Sequence, residues 1–144
     1  EGQRFVHAVG AILWHELGLL AAGGLVLALT WGAPNQVGPA TFALLWLMRT
    51  SAKRNLFLGV RNLSEEFLPP QLAYLQSFFR RRPMNLLFPV SVSAATALLA
   101  LVVAHALAPA TPAADAIGAV LVATLLALAV LEHWMLVLPL DTTA

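Results

Sequence analysis

Apolar positions along this chain gather into four long runs, separated by breaks that carry proline, glycine or charge. Phe5 to Trp31 is apolar except at His7, His15 and Glu16. At ~1.5 Å of rise per residue it exceeds the roughly 30 Å of hydrocarbon in a bilayer, which predicts a first membrane span. Gly32-Ala33-Pro34-Asn35-Gln36 supplies turn chemistry. The next run, Gly38 to Met48, would give only ~16 Å of helix, too short to cross. The second helix is therefore expected to continue through Arg49 to about Leu58. Lys53 and Arg54 would snorkel to the interface, and Arg49 would face protein or a polar cavity.

Asn85 to Ala108 predicts a third span, with Pro89 near its start, where proline is tolerated. Its Ser91, Ser93, Ala94, Ala95, Thr96 and Ala97 suit close helix approach. After the turn Ala108-Pro109-Ala110-Thr111-Pro112, Asp115 fits an N-terminal cap and Ala116 to Leu138 forms a fourth span, ended by Pro139. Between spans two and three, Gly59 to Met84 changes character. Leu72, Leu75, Phe78 and Phe79 recur at spacings of three and four, among the polar Gln71, Gln76 and Arg80, and Pro70 suits a helix start. This predicts a short amphipathic helix at the membrane surface. The fold class is all-α: a polytopic membrane protein of at least four transmembrane helices in a single membrane domain, residues 1–144. Because the chain begins at Glu1 rather than Met, it is expected to be part of a longer one.

Composition agrees with that class. Hydrophobic residues make up 60% and charged residues 10% of the chain, against roughly 25% charged in soluble domains. Lys and Arg total 8 against 7 Asp and Glu, so the net charge of +1 points to no nucleic-acid partner. With no cysteine, disulfides and thiolate chemistry are excluded. The distribution of charge says more. Arg49, Lys53, Arg54, Arg61 and Arg80-Arg81-Arg82 all belong to the end of span two and the loop that follows, while the other two loops carry no Lys or Arg. The positive-inside rule then places the central loop and both ends of the chain on the cytoplasmic side of the membrane.

Two triplets could carry chemistry: Trp14-His15-Glu16 near the middle of span one, and Glu132-His133-Trp134 in span four. Ionisable residues inside a membrane are expensive unless paired. Adjacent helical residues point ~100° apart, so His15 and Glu16 do not serve one metal together. A composite site would take one residue from each span, His15 with His133 or Glu16 with Glu132. Against this stands an intramembrane ion pair, Glu16 with Arg49, at similar depths on antiparallel neighbours. For His15, His105 and His133, a hydrogen bond to a neighbouring helix competes with axial ligation of haem or a magnesium porphyrin, which needs one imidazole. Trp14 and Trp46 lie too deep for the interfacial belt. No E-x-x-H, H-E-x-x-H, G-x-G-x-x-G, P-loop or G-x-S-x-G pattern occurs, so no catalytic residue and no metal site is assigned.

The run Ser51-Ala52-Lys53, Asn55-Leu56-Phe57-Leu58-Gly59-Val60, Asn62-Leu63, Glu66-Phe67-Leu68-Pro69, Arg80-Arg81-Arg82-Pro83-Met84-Asn85 and Phe88-Pro89 resembles the PuhE family, photosynthetic complex assembly proteins of purple phototrophic bacteria. Arg54 and Arg61 stand where that pattern has an apolar residue and a proline. The resemblance implies a helper in building the photosynthetic apparatus rather than an enzyme, though it could be an accessory subunit of an enzyme complex. Its client would be a bacteriochlorophyll-synthesis enzyme, such as the oxidative cyclase acting on a magnesium-porphyrin ester, or the reaction-centre subunits. The surface expected to meet that partner comprises Arg61, Glu65, Glu66, Phe67, Leu75, Phe79, Arg80, Arg81 and Arg82. A protein holding haem or a bacteriochlorophyll precursor through His15 or His133 is the rival reading, and a small transporter is a third.

Overall fold

A computed structural model describes residues 2–63, 70, 73, 76 and 81–139. Four helices follow in order: α1 (Gly2–Leu29), α2 (Val37–Leu58), α3 (Leu87–Leu107) and α4 (Ala113–Met135). Among the described residues there is no strand, only an isolated parallel bridge between Val60 and Arg81. The all-helical class and the four helices match the apolar runs, with ends shifted by a few residues. In particular, α2 passes through Arg49 and stops at Leu58, the limit expected from the sequence. The amphipathic helix expected after Pro70 lies outside the described residues.

The helix ends have local causes. Beyond α1, Gly32 takes φ 73°, a conformation that suits glycine, and the Gln36 amide donates to the carbonyls of Thr30 and Ala33 at 3.1 and 2.6 Å. Asn35 Oδ1 accepts from Val37 N at 2.9 Å and starts α2. The fourth helix begins earlier than expected: Pro112 precedes it without a side-chain cap, and Asp115 lies in its first turn. Asp115 therefore acts not as the cap but as an acid near the positive end of the helix dipole. At the other end α4 stops at Met135, short of Pro139, which disfavours helical geometry in the residue before it.

The chain divides into two compact units, Glu1–Ala43 and Leu44–Ala144. In the first, α1 packs on the opening turns of α2. Gly23 lies against the Phe42 ring so closely that a Cβ there would collide with it, and Gly38 approaches Val26. In the second, α3 and α4 pair, and Leu44, Ala95 and Leu126 form a core flanked by Met48, Leu99, Val122, Leu125 and Val130. Small residues let the backbones approach: Gly118, Ala123 and Ala129 are buried on α4, and Ala95 on α3. Of the small stretch expected to do this on α3, Ser93, Ala94, Thr96 and Ala97 instead face outward.

Among the described residues, α3 and α4 are long and apolar enough to cross a membrane. The core helix of a soluble protein would be mostly buried, whereas only 17% and 22% of these two are. Leu98, Leu101, Leu107, Ile117, Leu121 and Leu128 all point outward. An apolar surface on that scale suits lipid rather than water.

Candidate functional site

The end of α2, the start of α3 and the end of α4 meet at one corner of the second unit, and polar side chains join them. A helix leaves its last carbonyls and first amides without intrahelical partners. Asn85 serves both kinds at once. Its amide donates to the carbonyls of Asn55 and Gly59, at 3.1 and 3.0 Å, on the closing turn of α2. Its Oδ1 accepts from Leu87 N and Phe88 N, at 2.8 and 3.0 Å, on the opening turn of α3. Asn62 serves only the carbonyl end of α4, donating from its side chain to the carbonyls of Met135 and Leu138, both at 2.7 Å. Its backbone N–H adds a bond to Leu136 O at 3.0 Å.

A second polar layer lies deeper. Asn55 is fully buried and donates to Ser51 O at 3.0 Å and to Ser91 Oγ at 3.2 Å. Its Oδ1 is buried without a hydrogen-bond partner among the described residues. His133 is 1% exposed. Its Nδ1 lies 2.9 Å from Ala129 O, and its Nε2 lies 3.0 Å from Ser51 Oγ. A carbonyl only accepts, so Nδ1 carries the proton, and in the neutral ring Nε2 accepts from the Ser51 hydroxyl. Both ring nitrogens are engaged, the hydrogen-bonded arrangement weighed for this histidine. Beside it, Phe88 and Trp134 meet edge to face at 5.5 Å.

This junction carries a cationic rim. Gly59, at φ 111°, turns the chain out of α2, and Val60, wholly buried, accepts from Arg82 N at 3.3 Å. The backbone pairing brings Arg61, Arg81 and Arg82 together around a recess of about 240 Å³ closed by Pro83. All three arginines are exposed. They lie near the carbonyl ends of α2 and α4, where the helix dipoles favour positive charge.

Other expected residues belong to other parts of the chain. His15 is half exposed on α1, with Nδ1 3.7 Å from Glu16 Oε1. Glu16 belongs to the first unit and the exposed Arg49 to the second. Glu65, Glu66, Phe67, Leu75, Phe79 and Arg80 lie outside the described residues. Among the described residues no three His, Asp or Glu side chains converge as metal ligands would. Sequence reasoning missed the asparagine junction. Its signal was present in Asn55, Asn62 and Asn85, polar residues that flank helix ends in an otherwise apolar chain.

A family profile described as "Protein of unknown function (DUF3623)" matches residues 1–144. The chain is 48% identical over 138 residues to a Rhodobacter capsulatus protein named "Uncharacterized 30.4 kDa protein in puhA 5'region". The match covers 96% of this chain and 50% of that relative, so the chain spans about half the relative's length. No solved structure matches.

Proposed function

This chain belongs to the DUF3623 family, and on that premise we propose that it is a membrane scaffold for building the bacterial photosynthetic apparatus. The relative's position in the puhA 5' region supports a photosynthetic role, and the resemblance to PuhE-like assembly proteins points the same way. All four helices cross the cytoplasmic membrane, and the loop after α2 faces the cytoplasm, because the cations gather there. The partner is a protein with an acidic surface, either a bacteriochlorophyll-synthesis enzyme or a reaction-centre subunit.

The observation that carries this reading is the recess of Arg61, Arg81 and Arg82 on a rigid base. The asparagine bonds tie down the backbone that carries the arginines, so binding has mainly their side chains to order. Arginine forks suit carboxylates bidentately. By contrast, His133 has both nitrogens engaged inside the protein, which weighs against its serving as an axial ligand.

The test is affinity purification of the tagged full-length protein from phototrophic membranes, with mass spectrometry of what accompanies it. Arg81→Ala with Arg82→Ala should reduce the co-purified partner about tenfold while leaving the protein in the membrane. His15→Ala should retain it. Should His15→Ala lose the partner, or abolish a tetrapyrrole absorbance band in the purified protein, while the arginine variant behaves as wild type, the pigment-binding reading replaces the scaffold.

A further inference from the structure

Away from the arginine recess, a groove of about 400 Å³ runs between the closing turns of α2 and the first residue of α3. Thr50, Lys53, Arg54, Phe57, Leu58 and Leu87 line it. We infer that this groove binds an anionic phospholipid, its phosphodiester held by Lys53 and Arg54 and an acyl chain laid along Phe57, Leu58 and Leu87.

Position is the first argument. Thr50, Lys53 with Arg54, and Phe57 with Leu58 recur at spacings of three and four, so they share one face of α2. Leu87, the opposite wall, is the first residue of α3, a helix long and apolar enough to cross a membrane. The groove therefore sits where hydrocarbon gives way to head groups. Its chemistry changes across that level as a lipid's does: two cations beside three large apolar side chains, with no acid among the lining residues. Phe57 is 63% and Leu58 42% exposed, so the apolar wall is open to an occupant.

Alternative anions fit less well. The N-terminus of α3 offers little direct hydrogen bonding, because Asn85 already takes the amides of Leu87 and Phe88 and Pro89 has none. Side chains must then hold the anion, and the arginine fork grips a phosphodiester well. A free phosphate would gain nothing from Phe57, Leu58 and Leu87, whereas an acyl chain covers them. An acidic peptide would press its own backbone amides and carbonyls against an apolar wall, where unpaired they are costly. A lipid chain has no such groups. Anionic lipids are also concentrated in the leaflet that faces basic loops.

The experiment uses the full-length protein, purified and placed in vesicles of phosphatidylcholine with or without phosphatidylglycerol. Bound lipid is then counted by native mass spectrometry. Phosphatidylglycerol should be retained about tenfold over phosphatidylcholine. Lys53→Gln with Arg54→Gln should bring that preference near unity, and Phe57→Ser should weaken retention without any change in charge. Arg61→Gln with Arg82→Gln, an equal loss of charge at the other recess, should keep it. Folding is checked by thermal unfolding in phosphatidylcholine. If the double variant fails there, Arg54→Gln alone must still cut the preference several-fold for the inference to stand. Equal losses in the two double variants would mean charge attraction without a site. Displacement of the lipid by inorganic phosphate would mean a soluble-anion site, and either result overturns the inference.

Discussion

Asn85 makes four hydrogen bonds with one amide group, and each of its partners is a backbone group at a helix end. Replacing it by alanine removes a cap and leaves two carbonyls and two amides to find other partners in a site that is 6% exposed. The expected loss is about 3 kcal/mol of unfolding free energy. Asn85→Asp separates the two halves of the role. It keeps the acceptor for Leu87 and Phe88 but sets a carboxylate against the carbonyls of Asn55 and Gly59, so it should recover none of the α2 contribution. Denaturant titration of both variants in detergent checks this, and an Asp variant as stable as wild type would remove Asn85's donors from the account.

At the scale of elements, the contrast between neighbouring glycines on α1 is the sharpest test. Gly23 faces Phe42, whereas Gly24 has open space where a Cβ would stand. Gly23→Ala should push the Phe42 ring aside and destabilise the first unit by about 2 kcal/mol, as overpacking does. Gly24→Ala should instead stabilise it by roughly 0.5–1 kcal/mol, since glycine in a helix interior costs that much relative to alanine. Measured together in one detergent, the two substitutions must differ in sign. Combining Gly23→Ala with Phe42→Leu should recover part of the loss, because the smaller side chain leaves room for the added methyl. Two equal effects would mean that α1 and α2 do not pack through this pair.

For the whole molecule, the arrangement of charge argues for one topology. Single cysteines can be introduced freely because the chain has none of its own. Met84→Cys, beside the arginine recess, and Ala110→Cys, in the turn between α3 and α4, both lie at exposed positions. If α3 crosses the membrane, a membrane-impermeant thiol reagent added outside intact cells should label Cys at 110 and spare Cys at 84. Opening the cells should expose the second. Labelling of both from outside would remove the crossing of α3, and labelling of 84 alone would invert the orientation.

The type and approximate limits of the four described helices could be read directly from the chain, because apolar run length and breaker residues act locally. The passage of α2 through Arg49 to Leu58 was expected from the same run-length reading. The cationic end was visible too, charge being a property of composition. What the tertiary structure decided was which residues meet. Ser51 and His133 are 82 positions apart, and Asn62 reaches carbonyls 73 and 76 positions away. No periodicity records such pairings: each asparagine reads locally as a loop or cap residue, and its partner is chosen only when three helix ends converge. The same holds for His133, whose place in an apolar span suggested a hydrogen bond ahead of a ligand but did not name the partner. Only the packing of α2 beside α4 put the Ser51 hydroxyl within reach of its second nitrogen.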